Sequence, residues 1–232
     1  MIDPVAVIDL TTLEDDDTPA RVRALCEKAQ TPRGPVAAVC ILPRFAAVAV
    51  EALQGSPVKV ATVANFPDGA YDPDGAAATA AQAVADGVDE VDVVAPWRSV
   101  LQGDDESLAR LVAMTSDACG DRTLKVILET GSLPDPLTIR AMADAALDAG
   151  AFFLKTSTGK FGPGADLGSA RVLLEAVRDN GSGGVKVSGG VRTAEQADDY
   201  LRLTSAILGE EAVTPERFRI GASSLLDALL AT

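Results

Sequence analysis

"DGAAATAAQAVADGVDEVDVVA", residues 74–95, holds two patterns back to back. The first half is rich in alanine, the best helix former, and glycines bound it. The second half, "VDEVDVVA" at 88–95, is β-branched and of strand length. Helix followed directly by strand is the repeating unit of an α/β fold. Side chains alternate along a strand, so Glu90, Asp92 and Val94 share one face. Asp92 sits in the middle of an apolar run and needs a partner there, because an unpaired buried charge is expensive.

The alternation extends outward from this unit. Upstream lie "VAVIDL" at 5–10, "VAAVCIL" at 36–42 and "VKVATVA" at 58–64. Downstream lie "TLKVILE" at 123–129, "AFFLKT" at 151–156, "GVKVS" at 184–188 and "FRIGA" at 218–222. Helical signals fall between these runs. Thr18 before Pro19 and Asp135 before Pro136 each read as a cap followed by a first-turn proline. Ile139, Met142, Ala143 and Ala146 then share a helix face. Thr193 with Gln196 reads as a capping box. Eight strand–helix units in 232 residues predict a single (β/α)8 TIM barrel of the α/β class; a doubly wound open sheet is the structural competitor. No linker or low-complexity stretch divides residues 1–232, so one domain is expected.

Composition narrows the chemistry. The net charge of −14 argues against a general nucleic-acid binder, which carries a basic footprint. No apolar run approaches the ~18 residues needed to cross a membrane. The first residues, "MIDPVAVIDL", lack a basic segment of the secretory kind, so a cytoplasmic location is expected. Cys26, Cys40 and Cys119 match no metal or redox spacing and read as reduced thiols. The chain has no histidine, which removes the commonest general base and metal ligand. Proton chemistry is left to carboxylates, lysines, tyrosines, cysteines and water.

Active sites of such barrels lie at the C-terminal ends of the strands. Asp9, Cys40, Asn65, Asp92, Glu129, Lys155, Lys186 and the 221–224 turn fall there. Lys155 and Lys186 end successive strands, about 4.8 Å apart, so inward-facing ammonium groups are neighbours. Like charges and partial desolvation both disfavour double protonation. A neutral lysine amine is a nucleophile suited to a carbonyl, giving a Schiff base. The bland alternative is a pair of solvated rim lysines, with Asp92 in a structural ion pair with Lys125 or Lys186. "KVSGGVRT" and "TSTGK" read as anion holders, with Gly189 and Gly190 allowing close backbone approach and Lys160 adding charge. Ser223 and Ser224 open the last helix, where phosphate sites of these barrels commonly form. "STGKF" is not a P-loop, since Phe161 stands where Ser or Thr is required.

These segments resemble 2-deoxyribose-5-phosphate aldolases, class I aldolases built on a (β/α)8 barrel. The resemblance runs through "DLTTL" (9–13), "VCILPRF" (39–45), "VANFPDG" (63–69), "DEVDVVAPWR" (89–98), "LKVILETG" (124–131), "FLKTSTGK" (153–160), "VKVSGGVRT" (185–193) and "RIGASSLL" (219–226). It implies Lys155 as the Schiff-base lysine, Lys186 as the second lysine that lowers its pKa, and Asp92 in proton relay. It places Asp9 and Lys125 in the surrounding network and Cys40 near the substrate. It puts the phosphate on Gly159, Lys160, Gly189, Gly190, Ser223 and Ser224. The implied substrates are a sugar phosphate and aldehydes, with no metal or other cofactor, and the implied assembly is a homodimer. Two departures stand out. "APWR" at 95–98 replaces a motif that often has an aromatic before the proline. Some members also end in a tail whose terminal tyrosine assists proton transfer, whereas the tyrosines here are Tyr71 and Tyr200. The competing expectations are another Schiff-base aldolase or transaldolase, a phosphosugar isomerase, and a barrel that binds sugar phosphate without turning it over.

Overall fold

The eight β-branched runs form eight parallel strands that close on themselves; the computed structural model describes residues 2–231. The strands are β1 (Ile8–Thr11), β2 (Ala38–Ile41), β3 (Lys59–Ala64), β4 (Glu90–Val94), β5 (Thr123–Ile127), β6 (Phe153–Lys155), β7 (Gly184–Ser188) and β8 (Phe218–Ala222). Each pairs with the next in chain order. β1 pairs with both β2 and β8, which leaves no sheet edge and excludes the open doubly wound alternative. The main helices are α1 (Pro19–Lys28), α2 (Ala46–Ala52), α3 (Pro73–Ala85), α4 (Asp105–Cys119), α5 (Pro136–Asp148), α6 (Leu167–Asn180), α7 (Ala194–Leu208) and α8 (Leu225–Leu230). One follows each strand, which makes the fold a (β/α)8 TIM barrel.

Local chemistry starts the helices where the sequence predicts. The Thr18 side chain accepts from the Arg21 N–H with Pro19 in the first turn, and Asp135 does the same for Thr138 ahead of Pro136. Both halves of the Thr193–Gln196 capping box are made. Ile139, Met142, Ala143 and Ala146 are all buried on α5.

Strand alternation divides the interior into two layers. Val91, Val93, Leu124, Val126, Leu154, Val185 and Val187 join the hydrophobic core with the helices. The residues between them, Asp92, Lys125, Lys155 and Lys186, project to the opposite side, into the barrel. Register aligns them: Asp92 is opposite Lys125, and Lys155, Lys186 and Arg219 stand in one row across β6, β7 and β8.

Two strand expectations are corrected. "VAVIDL" does not begin as a strand. Asp3 accepts from the Val5 N–H and Pro4 opens a 3-10 turn over Pro4–Val7, so β1 starts only at Ile8. "AFFLKT" contributes three strand residues, and Phe152 before them is 45% exposed rather than part of the core. The width of the barrel also depends on missing side chains. A Cβ on Gly184 would lie 2.5 Å from Cε1 of Phe153 and 2.7 Å from the Arg217 carbonyl oxygen. Gly184→Ala is therefore expected to destabilise the protein by ~1–3 kcal/mol through overpacking, read as a lower urea midpoint at unchanged slope.

Candidate active site

Asp9, Glu90, Asp92, Lys125, Lys155, Lys186 and Arg219 fill the barrel interior, and none is more than 5% exposed. Charges at this depth persist only when paired. Asp92 is the common partner. Its Oδ1 accepts from Lys125 Nζ at 2.8 Å, and its Oδ2 accepts from both Lys155 Nζ and Lys186 Nζ at 2.8 Å each. The two lysines that sequence spacing makes neighbours thus share one carboxylate oxygen.

A second tier lies below. Lys186 Nζ also pairs with Asp9 Oδ2 at 2.5 Å, and Lys125 Nζ with Glu90 Oε2 at 2.5 Å. Arg219 closes the base, with Nη1 2.6 Å from Asp9 Oδ1 and Nη2 2.8 Å from Glu90 Oε1. Gly221 makes room for Lys186, since a Cβ there would come within 3.1 Å of its Cε.

The cluster holds four basic groups (Lys125, Lys155, Lys186, Arg219) against three acids (Asp9, Glu90, Asp92), an excess of one proton. Of the four basic groups, Lys155 is the one held below its usual pKa. Burial lowers its pKa, the Lys186 charge lowers it further, and the single carboxylate of Asp92 only partly compensates. Lys186 and Lys125 are also buried, but Lys186 has two carboxylates and Lys125 three, the third being Asp9 at 3.9 Å, and both are held above their usual value. Burial pushes Asp92 upward, yet Lys125, Lys155 and Lys186 together hold it well below the ordinary carboxylate range. Asp9 is likewise depressed against its burial by Lys186 and Arg219. Cys40 lies buried among these charges, and burial raises its thiol pKa, so it stays un-ionised at neutral pH.

Lys155 and Lys186 open upward into a cavity of about 220 Å³ at the C-terminal ends of the strands. Gly159, Lys160, Gly189, Gly190, Ser223 and Ser224 line the same cavity, with Thr11, Ser188 and Arg192. Gly189 and Gly190 have φ of 89° and 86°, a conformation glycine adopts without strain. Ser224 is the residue just before α8. Glu129, at the end of β5, accepts from the Thr158 N–H at 3.1 Å and pins the loop after β6. Burial raises the Glu129 pKa.

Of the sequence-predicted residues, Asp9, Asp92, Lys125, Lys155 and Lys186 form the charged cluster, Cys40 is buried against it, and Gly159, Lys160, Gly189, Gly190, Ser223 and Ser224 line the cavity above. Asn65 lies apart from both, its amide donating to the carbonyls of Ala70 and Val94, and Glu129 holds the loop after β6. The position of Lys160 carries a qualification: its Nζ contacts both Glu14 carboxylate oxygens at 3.1 Å, so an anion entering the cavity competes with Glu14 for it. Sequence reading did not single out Arg219 or Glu14, and it noted Glu90 only as sharing the face of Asp92. The signal for Arg219 was present, a lone cation inside the apolar run "FRIGA". The two tyrosines are in the 70–71 turn region and in α7, where burial raises Tyr200 to about 12.

A closed parallel barrel with buried lysines below a glycine- and serine-lined mouth at the C-terminal ends of its strands has the architecture of a barrel enzyme. The family model for DeoC/LacD family aldolases matches residues 5–231, and the chain belongs to that family. It is an aldolase, a carbon–carbon lyase. Solved structures agree. A candidate deoxyribose-phosphate aldolase from Toxoplasma gondii ME49 superposes with a TM-score of 0.89 at 27% identity, covering 98% of this chain and 93% of that one. One from Coccidioides immitis gives 0.86 at 31% identity, covering 98% and 84%. The tetrameric deoxyribose phosphate aldolase of Aeropyrum pernix gives 0.81 at 27% identity, covering 98% and 90%.

Asp92→Asn leaves the buried Lys125, Lys155 and Lys186 without their shared anion. It is expected to cost about 3–5 kcal/mol, measured by urea unfolding. Asp9 and Asp92 also set the acid response. Both have depressed folded pKa values, so their stabilisation is complete above the unfolded value of 3.8 and is lost as pH falls below it. Stability should hold through neutral pH and decline below about pH 4, read as urea midpoints against pH.

Proposed function

We propose that this aldolase is a class I enzyme that reversibly cleaves 2-deoxy-D-ribose 5-phosphate to acetaldehyde and D-glyceraldehyde 3-phosphate through a Schiff base on Lys155. The observation that carries the reading is the position of Lys155. Its amine is buried, held below its usual pKa, and opens into the cavity shared by the glycines and serines. The neutral amine attacks the C1 aldehyde, and the carbinolamine loses water to give the protonated imine. Asp92, in contact with Lys155 and Lys186, is placed to pass the protons these steps need. The C2–C3 bond then breaks. Its electron pair flows into the imine to form an enamine, and the C3 hydroxyl proton leaves as C3 becomes an aldehyde. Protonation at C2 and hydrolysis release acetaldehyde and free Lys155.

Lys186 stays charged throughout, because Asp9 and Asp92 both hold it. Its charge keeps Lys155 neutral rather than competing as a nucleophile. The phosphate rests on Gly159, Gly189, Gly190, Ser223 and Ser224, and Lys160 exchanges Glu14 for it. The imine is the electron sink, so the reaction needs no metal. The reading takes residues 1–232 as one catalytic domain, working in the cytoplasm as a homodimer. No helix among the described residues is long and apolar enough to cross a membrane.

Borohydride trapping tests the reading. Incubation with 2-deoxyribose 5-phosphate, reduction and peptide mass spectrometry should give a stable adduct on Lys155 that is absent in Lys155→Ala. Lys186→Ala should still form the adduct, but roughly tenfold more slowly at neutral pH for each unit by which the Lys155 pKa rises. Tight binding of the sugar phosphate with no adduct on any lysine would overturn the proposal in favour of a binding barrel or an isomerase.

A further inference from the structure

We propose that Glu90 and Arg219 are positioning residues: without touching substrate, they set through charge how readily the Lys155 amine releases its proton. The inference rests on Lys155 being the reactive amine. Neither residue lines the mouth cavity. Both instead line a separate cavity of about 580 Å³ where the strands begin, with Phe152, Phe153 and Pro215. Their influence on the chemistry must therefore travel through the barrel.

Two chains of ion pairs carry it. One runs from Arg219 to Asp9 (2.6 Å), Lys186 (2.5 Å) and Asp92 (2.8 Å). The other runs from Arg219 to Glu90 (2.8 Å), Lys125 (2.5 Å) and Asp92 (2.8 Å). Both end on the carboxylate that holds Lys155. Removing the Glu90 charge leaves Lys125 to Asp92 at 2.8 Å and Asp9 at 3.9 Å, so Asp92 has less attraction left for a proton on Lys155. Removing the Arg219 charge frees Asp9 and Glu90 to draw Lys186 and Lys125 toward themselves, and Asp92 then holds the Lys155 proton more firmly. The two deletions act in opposite directions. Removing both leaves three basic against two acidic groups, the same excess of one as the native cluster.

The other charged or titratable groups around Lys155 are Asp9 on β1, Cys40 on β2, Asp92 on β4, Lys125 and Glu129 on and after β5, and Lys186 on β7. Lys59, at the start of β3, is solvent-exposed and pairs with Asp89. None of these changes in the comparison, so the tier beneath is the variable.

The test reads Lys155 basicity with a reagent that needs no aldol chemistry. Trace acetylation by acetic anhydride is quantified on the Lys155 peptide by mass spectrometry over about pH 6 to 10, which spans a depressed lysine. Glu90→Gln should lower the midpoint by about one pH unit and Arg219→Gln should raise it by about as much. The double variant should return it to the native value, and Arg219→Lys, which keeps the charge but loses the fork, should leave it in place. Circular dichroism identifies the folded variants. Shifts of the two single variants in the same direction, or no shift in either, would overturn the proposal. If a single variant does not fold, a displaced midpoint in the double variant or in Arg219→Lys would overturn it as well. Because acetylation proceeds whether or not an imine forms with the sugar phosphate, failure here is distinct from failure of the aldolase mechanism.

Discussion

One carboxylate accepts from three lysine side chains at 2.8 Å each, and the rest of the site depends on that sharing. Asp92 cannot neutralise Lys125, Lys155 and Lys186 together. Lys125 and Lys186 each find a second acid in the lower tier, Glu90 and Asp9, while Lys155 finds none. Three buried lysines thus end with pKa shifts of different sign: burial lowers all of them, and only Lys125 and Lys186 have enough carboxylate partners to outweigh it.

Such an arrangement needs a rigid frame. The seven buried titratable groups of the cluster would relax toward water on a flexible chain. The barrel forbids this, because each charge stands on a strand whose neighbours on both sides are paired. The apolar faces of the same strands, locked against the helices, supply the stability that offsets burying the charges. Small residues adjust the fit: Gly221 gives Lys186 its space and Gly184 accommodates the ring of Phe153.

The mouth follows a different physics. Lys160 and Glu14 are partly exposed there, with side chains 31% and 62% accessible. Ion pairs in such surroundings are weak and exchangeable. A ligand anion can displace Glu14 at modest cost, whereas no ligand can displace the partners of Lys186. Firm pairing at the floor and exchangeable pairing at the rim suit a site that keeps its reactive group fixed while substrates come and go.

Much of this was legible in the sequence. Alternation of β-branched runs with capped helices points to the barrel, because periodicity and capping are local properties. That Lys155, Lys186 and Asp92 stand on strands and face one side was also readable, since alternation along a strand is local, but only Lys155 ends its strand, whereas Asp92 and Lys186 lie at the middle of β4 and β7. Tertiary structure decided what depends on distance between strands. The Pro4–Val7 turn replaced an expected strand start because capping by Asp3 outcompeted β propensity. The pairing of Lys160 with Glu14 joins residues 146 positions apart. The Asp9–Arg219–Glu90 tier brings together the first, fourth and eighth strands, and only closure of the barrel makes them neighbours. The sequence by itself determined which side chains face inward. Which lysine is left with a single carboxylate was decided by the closed barrel, because charge sharing depends on three-dimensional distance and not on order along the chain.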